Sequence, residues 1–139
     1  AQRHGLHSLF DISNYNKNFR AVGKIEVDTV TIDDFPLRHD NSKIDFFKID
    51  VEGGEVNVLK GMKKTIEKNN KLAGIVEFNA NALLAAGQDP FGYIDTLRDF
   101  GFSVKEISKA GKLQDIDQET YEAAKKLSVN IFCFKNRRI

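Results

Sequence analysis

Residues 44–55, read Ile-Asp-Phe-Phe-Lys-Ile-Asp-Val-Glu-Gly-Gly-Glu, restrict what this chain can fold into more than any other stretch. Phe46, Phe47, Ile49 and Val51 are too apolar for a strand with one face in water. Residues 44–50 are therefore expected inside a sheet covered on both sides, as parallel strands of α/β domains are. Gly53-Gly54 then turns the chain. Beyond it Val58, Leu59, Met62 and Ile66 fall on one helical face and Lys60, Lys64 and Lys68 outside it, which predicts an amphipathic helix over residues 54–69. Lys48 and Asp50 share one strand face, and Asp50 and Glu52 arrive where the strand ends. Ligands of open α/β sheets bind at the carboxyl ends of the strands, so these two carboxylates are the first functional candidates. Glu55, in the first helical turn, suits the helix dipole, and that structural reading outweighs a catalytic one.

The rest of the chain alternates in the same way. Ile75, Val76 and Phe78 form the body of a strand over residues 72–79, with Glu77 embedded in it. A carboxylate there is costly unless paired or hydrogen-bonded, so Glu77 is either neutralised by a group such as Lys48 or placed at the ligand edge. Residues 81–86 predict a short helix ended by Gly87, and Asp89-Pro90 a strong helix start. A strand over residues 102–107, a glycine-containing turn over 109–113, a helix capped by Asp117 and a final strand over 129–134 follow. Upstream, the alternation of Ile25, Val27, Val30 and Ile32 changes phase at Asp28-Thr29, which predicts an interrupted strand or a strand pair. Residues 1–22 read as a weakly ordered polar arm. His4 and His7 lack a third ligand, and His39 has no partner. This order predicts one α/β domain over residues 1–139, with its body at 23–135 and right-handed crossovers.

Charge narrows the partners. Lysine plus arginine number 21 and aspartate plus glutamate 20, so there is no field to draw nucleic acid or an anionic membrane. No run approaches the length of a membrane span and no signal segment is readable. The single cysteine, Cys133, lies in an apolar run, where a buried thiol in a reducing, cytoplasmic setting is the expectation.

The run from Ile44 to Gly61, with Thr29-Val-Thr-Ile-Asp-Asp34 before it and Ile75-Val-Glu-Phe78 after it, resembles the FkbM family of S-adenosylmethionine-dependent methyltransferases. Its Lys-x-Asp-x-Glu-Gly-x-Glu core, the Leu-Lys-Gly that follows and the later strand with Glu stand in the family's order. The resemblance implies a Rossmann-like class I methyltransferase sheet, mostly parallel with an antiparallel last strand lying between the Glu77 strand and the residue 102–107 strand. It also implies S-adenosylmethionine as cofactor. The family's glycine-rich cofactor loop is absent before Lys24, so the chain is expected to be the C-terminal half of such a domain. On this reading Asp33 and Asp34 either cap the next turn or edge the cofactor pocket.

Methyl transfer to a hydroxyl needs the acceptor held at near-attack distance and a base for its proton. Asp50, Glu52 and Glu77 suit those roles, with Lys48 holding one of them ionised. The expected acceptor is a small-molecule or sugar hydroxyl. The same carboxylates could hold magnesium or calcium, but no ligand set is readable from spacing and no metal is assigned. The competing reading is a non-catalytic α/β module that binds a ligand or associates with itself. The missing first strand leaves an open apolar edge at residues 44–50, and open edges seek partners. Either residues 23–32 fold over it or two copies pair edge to edge, and association with another chain, a homo-oligomer being one form, is expected.

Overall fold

The computed structural model describes Phe10, Gly23, residues 25–35 and residues 43–136. His4, His7, His39 and nearly all of the N-terminal arm fall outside them. The elements in chain order are β1 (Phe46–Ile49), α1 (Glu55–Gly61), α2 (Lys63–Lys68), β2 (Ala73–Phe78), α3 (Ala80–Ala85), α4 (Pro90–Asp99), β3 (Ser103–Ile107), β4 (Leu113–Gln114), α5 (Gln118–Lys126) and β5 (Val129–Phe134). They build a five-stranded sheet ordered β1-β2-β5-β3-β4.

The sheet is mixed, which corrects the mostly parallel expectation. Only β1 and β2 pair in parallel, because β5 returns antiparallel between β2 and β3 and β4 folds back on β3 as a hairpin. The expected insertion of the last strand between the Glu77 strand and the residue 102–107 strand is what the structure has.

Side chains alternate across the sheet, so register assigns each row to a face. Ile49, Val76, Ile131 and Glu106 lie in one row and are all buried. They join Leu59, Met62 and Ile66 of the helices, Tyr93, Ile94 and Leu97 of α4, and Phe78 in a single core. On the other face Lys48, Ile75, Phe132 and Lys105 share a row that is exposed or half-buried. Phe46 is 53% exposed. The two-sided cover expected for β1 is therefore absent among the described residues, which set helices on only one face.

Local signals account for several elements. The Asp89 carboxylate accepts from the N–H groups of Phe91 and Gly92, with Pro90 in the first turn of α4. Asp117 and Thr120 form a reciprocal capping box at α5. Asn79 caps α3 by accepting from the Ala82 N–H.

Two expectations fail for tertiary reasons. The single helix over residues 54–69 is two, broken at Met62, whose φ is −122°. At that break Asp33 supplies a cap from outside: its Oδ2 accepts from the Lys64 N–H at 2.8 Å and its Oδ1 from the Thr65 N–H at 2.9 Å. The Asp33 N–H in turn donates to the Gly61 carbonyl at 2.9 Å. A Cβ on Gly61 would lie 3.3 Å from the Thr31 Cβ, so the residue 31–35 turn sits close over this glycine. The interrupted strand or strand pair expected over residues 25–32 is absent among the described residues, where the backbone forms no ladder and Ile25, Val27 and Val30 are exposed. Alternation alone makes no strand without a neighbour to bond, and here the chain's hydrogen bonds go to the helix break and to its own turn.

Candidate functional site

The parallel register brings the carboxylates together. Phe47 to Ile49 of β1 lie beside Gly74 to Val76 of β2, so one step further on Asp50 comes beside Glu77, on the half-exposed face. Glu52 follows in the turn to α1. One carboxylate oxygen from each of Asp50, Glu52 and Glu77 lies within 4.8 Å of the others. Oxygens this close could also share a divalent cation, although exposed acidic groups commonly sit together without one.

The turn that carries Glu52 is held by Glu55. The Val51 N–H donates to Glu55 Oε1 at 3.2 Å and the Gly53 N–H to its Oε2 at 3.0 Å, and Glu55 is only 2% exposed. Its role is structural: it closes the β1–α1 turn as well as matching the helix dipole. Within that turn Glu52 has φ 50° and Gly53 φ 99°, a left-handed region that favours glycine and strains other residues. A Cβ on Gly53 would come 2.5 Å from the Ala82 carbonyl oxygen, so only glycine lets the turn sit against α3.

Electrostatics separate the three acids. Burial, then the charges of Asp50 and Glu55, raise the Glu52 pKa. Burial also lifts the Glu77 carboxyl to about 7; the Ser128 hydroxyl opposes the rise, and the Asp50 and Glu52 charges and contact with the Asp50 carboxyl add to it. Glu77 Oε2 is buried and, among the described residues, has no hydrogen-bond partner. Such an oxygen is an acceptor awaiting a donor. Lys48 pairs with Asp50, not with Glu77, in a contact where both side chains are largely exposed. The ion pair of Lys48 is therefore with Asp50, and Glu77 lies beside that pair near the carboxyl end of β2.

Asp33 and Asp34 lie elsewhere. They belong to the turn at the C-terminal end of α1, whereas the carboxylate cluster adjoins its N-terminal turn. Both Asp33 oxygens serve α2 and the Thr65 hydroxyl, and Asp34 accepts from the Thr31 hydroxyl at 2.7 Å. The capping alternative describes Asp33.

Ser128 and Tyr93 were not singled out by sequence reasoning. The Tyr93 hydroxyl donates to the Glu77 carbonyl at 3.3 Å, tying α4 under the strand that bears the acid. Ser128 immediately precedes β5, and only the antiparallel pairing of Glu77 with Asn130 places it near Glu77. Among the described residues no helix is long and apolar enough to cross a membrane.

A family model, the methyltransferase FkbM domain, matches residues 4–104. No curated protein and no solved structure matches the chain. The matched span is well over half of the sequence and includes β1, the Glu55-clamped turn and Glu77, and on that ground the chain belongs to the FkbM family of methyltransferases.

Proposed function

We propose that this chain forms the acceptor side of an S-adenosylmethionine-dependent O-methyltransferase acting on a small-molecule or sugar hydroxyl. The observation that carries the reading is the convergence of Asp50, Glu52 and Glu77 at the carboxyl ends of two neighbouring parallel strands. S-adenosylmethionine, when bound, supplies the methyl group. The chain's own residues orient the acceptor and take its proton.

Glu77 is the base in this reading. Burial pushes its carboxyl up to about 7, where a general base is most effective at neutral pH, and one of its oxygens lies in the cluster with Asp50 and Glu52. Asp50 and Glu52 position the hydroxyl and keep the proton affinity of Glu77 high. Lys48 holds Asp50 in place through their ion pair.

The test is a transfer assay with methyl-labelled S-adenosylmethionine over a panel of alcohols and sugars, with S-adenosylhomocysteine titrated calorimetrically alongside. Label is expected on an acceptor oxygen, with the rate falling at least about 100-fold in Glu77→Gln. An unchanged rate in that variant sinks the assignment of the base.

The β1 edge favours a second reading, self-association. Among the described residues β1 has β2 on one side and no strand on the other, beside the exposed Phe46, and open edges template pairing. Sedimentation at two concentrations decides it: a mass of one chain throughout removes the homo-oligomer.

A further inference from the structure

Register places an exposed amide beside the acids. Asn130 of β5 is the direct partner of Glu77 across the antiparallel β2–β5 pair. With Asp50 beside Glu77 on β1, the three polar residues stand in one row, about 4.8 Å apart from strand to strand, on the face without described helices. Asp50 and Asn130 are exposed and Glu77 is half-buried. The next row on that face, two residues away along each strand, is apolar at its centre. There Ile75 pairs with Phe132, both half-buried, and Phe132 stacks on Phe134 with ring centroids 5.4 Å apart. The cations at the two ends of this second row are already met, Lys48 by Asp50 and Lys105 by Asp115, so neither is free to call for an anion. An apolar floor bordered by a few polar groups that fix orientation is the make-up of small-molecule sites.

We infer that this sheet face takes the acceptor as a neutral ring bearing two or more hydroxyls, and that Asn130 and Phe132 are the residues that select it. The inference rests on the methyl-transfer reading for the fate of one hydroxyl, the one whose proton Glu77 takes; the binding does not. A hydroxyl has one hydrogen to give, and once it is given to Glu77 the Asn130 amide, with two donors and an acceptor, holds a second hydroxyl on the same ring. Asp50 borders the other side as an acceptor. The C–H face of the ring lies on Phe132 and Ile75, where burial of carbon surface supplies the affinity. A monohydric alcohol covers the same floor but leaves the amide unused, and a site built to bond a hydroxyl rejects the analogue lacking it.

The experiment is a titration of the isotope-labelled chain with myo-inositol, and with cyclohexanol as a six-membered ring carrying a single hydroxyl, followed by nuclear magnetic resonance. Myo-inositol is expected to shift the Asn130 side-chain amide and the Ile75 methyl and Phe132 ring resonances saturably. Cyclohexanol should bind at least about tenfold more weakly and leave the Asn130 side-chain amide unmoved. Asn130→Val, a β-branched residue at an exposed strand position, should weaken myo-inositol at least about tenfold and leave cyclohexanol unchanged. The inference is overturned if myo-inositol shifts none of these resonances, is not distinguished from cyclohexanol by the native chain, or binds the folded variant equally well; the first two outcomes need no variant. Binding as expected with no methyl transfer to any polyol would fail the functional reading and leave the subsite standing. Transfer to polyols at a rate and KM that Asn130→Val does not change would do the reverse.

Discussion

Replacing Glu77 with glutamine keeps the shape of the side chain and removes its ability to become charged. In the native protein burial, with the Asp50 and Glu52 charges, lifts this carboxyl from its ordinary 4.5 to about 7. The folded state therefore holds the proton more tightly than the unfolded chain. That contribution to stability is complete below pH 4.5, declines as pH rises, and is gone once pH passes about 7. The full difference amounts to at most about 3 kcal/mol. Solvent reaches the half-buried carboxylate, and screening reduces the figure to roughly 1–2 kcal/mol. Glutamine is uncharged throughout, so the Glu77→Gln variant escapes the loss. Its melting temperature relative to the native protein is expected to rise by about 3–7 °C between pH 5 and pH 8, read by circular dichroism at the two pH values. A difference that stays constant or falls with pH refutes the argument that Glu77 is held in a proton-retaining site. Ser128→Ala supplies the control: loss of a hydroxyl that opposes the rise should move the loss of stability to higher pH.

Three further perturbations test the frame. Gly53→Ala drives a Cβ to 2.5 Å from the Ala82 oxygen at a φ of 99°, and a loss of about 2 kcal/mol or more is expected in urea unfolding; an unchanged midpoint would mean that the turn is built differently. Asp33→Ala should cost about 1–2 kcal/mol as a lost cap. Burial raises the Asp33 pKa but the bonds from Lys64 and Thr65 outweigh it and lower it, so this loss should be full above pH 3.8 and shrink as pH falls through the lowered value. Thr120→Val removes the hydroxyl that donates to the buried Glu106 at 2.5 Å, and about 1–3 kcal/mol should go with it; equal stability would mean that Glu106 has another donor.

What was legible in the sequence was what neighbouring residues decide among themselves. Asp89-Pro90 starts α4 and Asp117 starts α5 because a cap needs only its own next few N–H groups. The alternation through Val129–Phe134 found β5, and its place beside the Glu77 strand followed from family resemblance. What was not legible depends on residues far apart in the chain. The break at Met62 is fixed by Asp33, some 30 positions upstream; a helical wheel over residues 54–69 contains no trace of it. Ile25 to Ile32 carry a strand-like alternation, but no ladder forms there. Phe46 reads as core and lies exposed, because apolar content does not say which face the described helices cover. Ser128 carries no signal of its own, since its meeting with Glu77 depends on the register of β5.

The acids of the motif differ in what already satisfies them, and that difference points to where chemistry can occur. Glu55 is more deeply buried than Glu77, yet backbone N–H groups of the turn satisfy both of its oxygens. Asp33 is likewise committed to the start of α2. Carboxylates used in this way stabilise the fold and have little left to offer a ligand. Glu77 is the opposite case: it is partly buried, it faces two other acids, and among the described residues one of its oxygens has no hydrogen-bond partner. A chain whose only requirement was stability would gain from glutamine or an apolar residue there, since a buried group without its bond is a net loss. Among the acids of the motif, Glu77 is the one with a hydrogen bond still to make within the described residues.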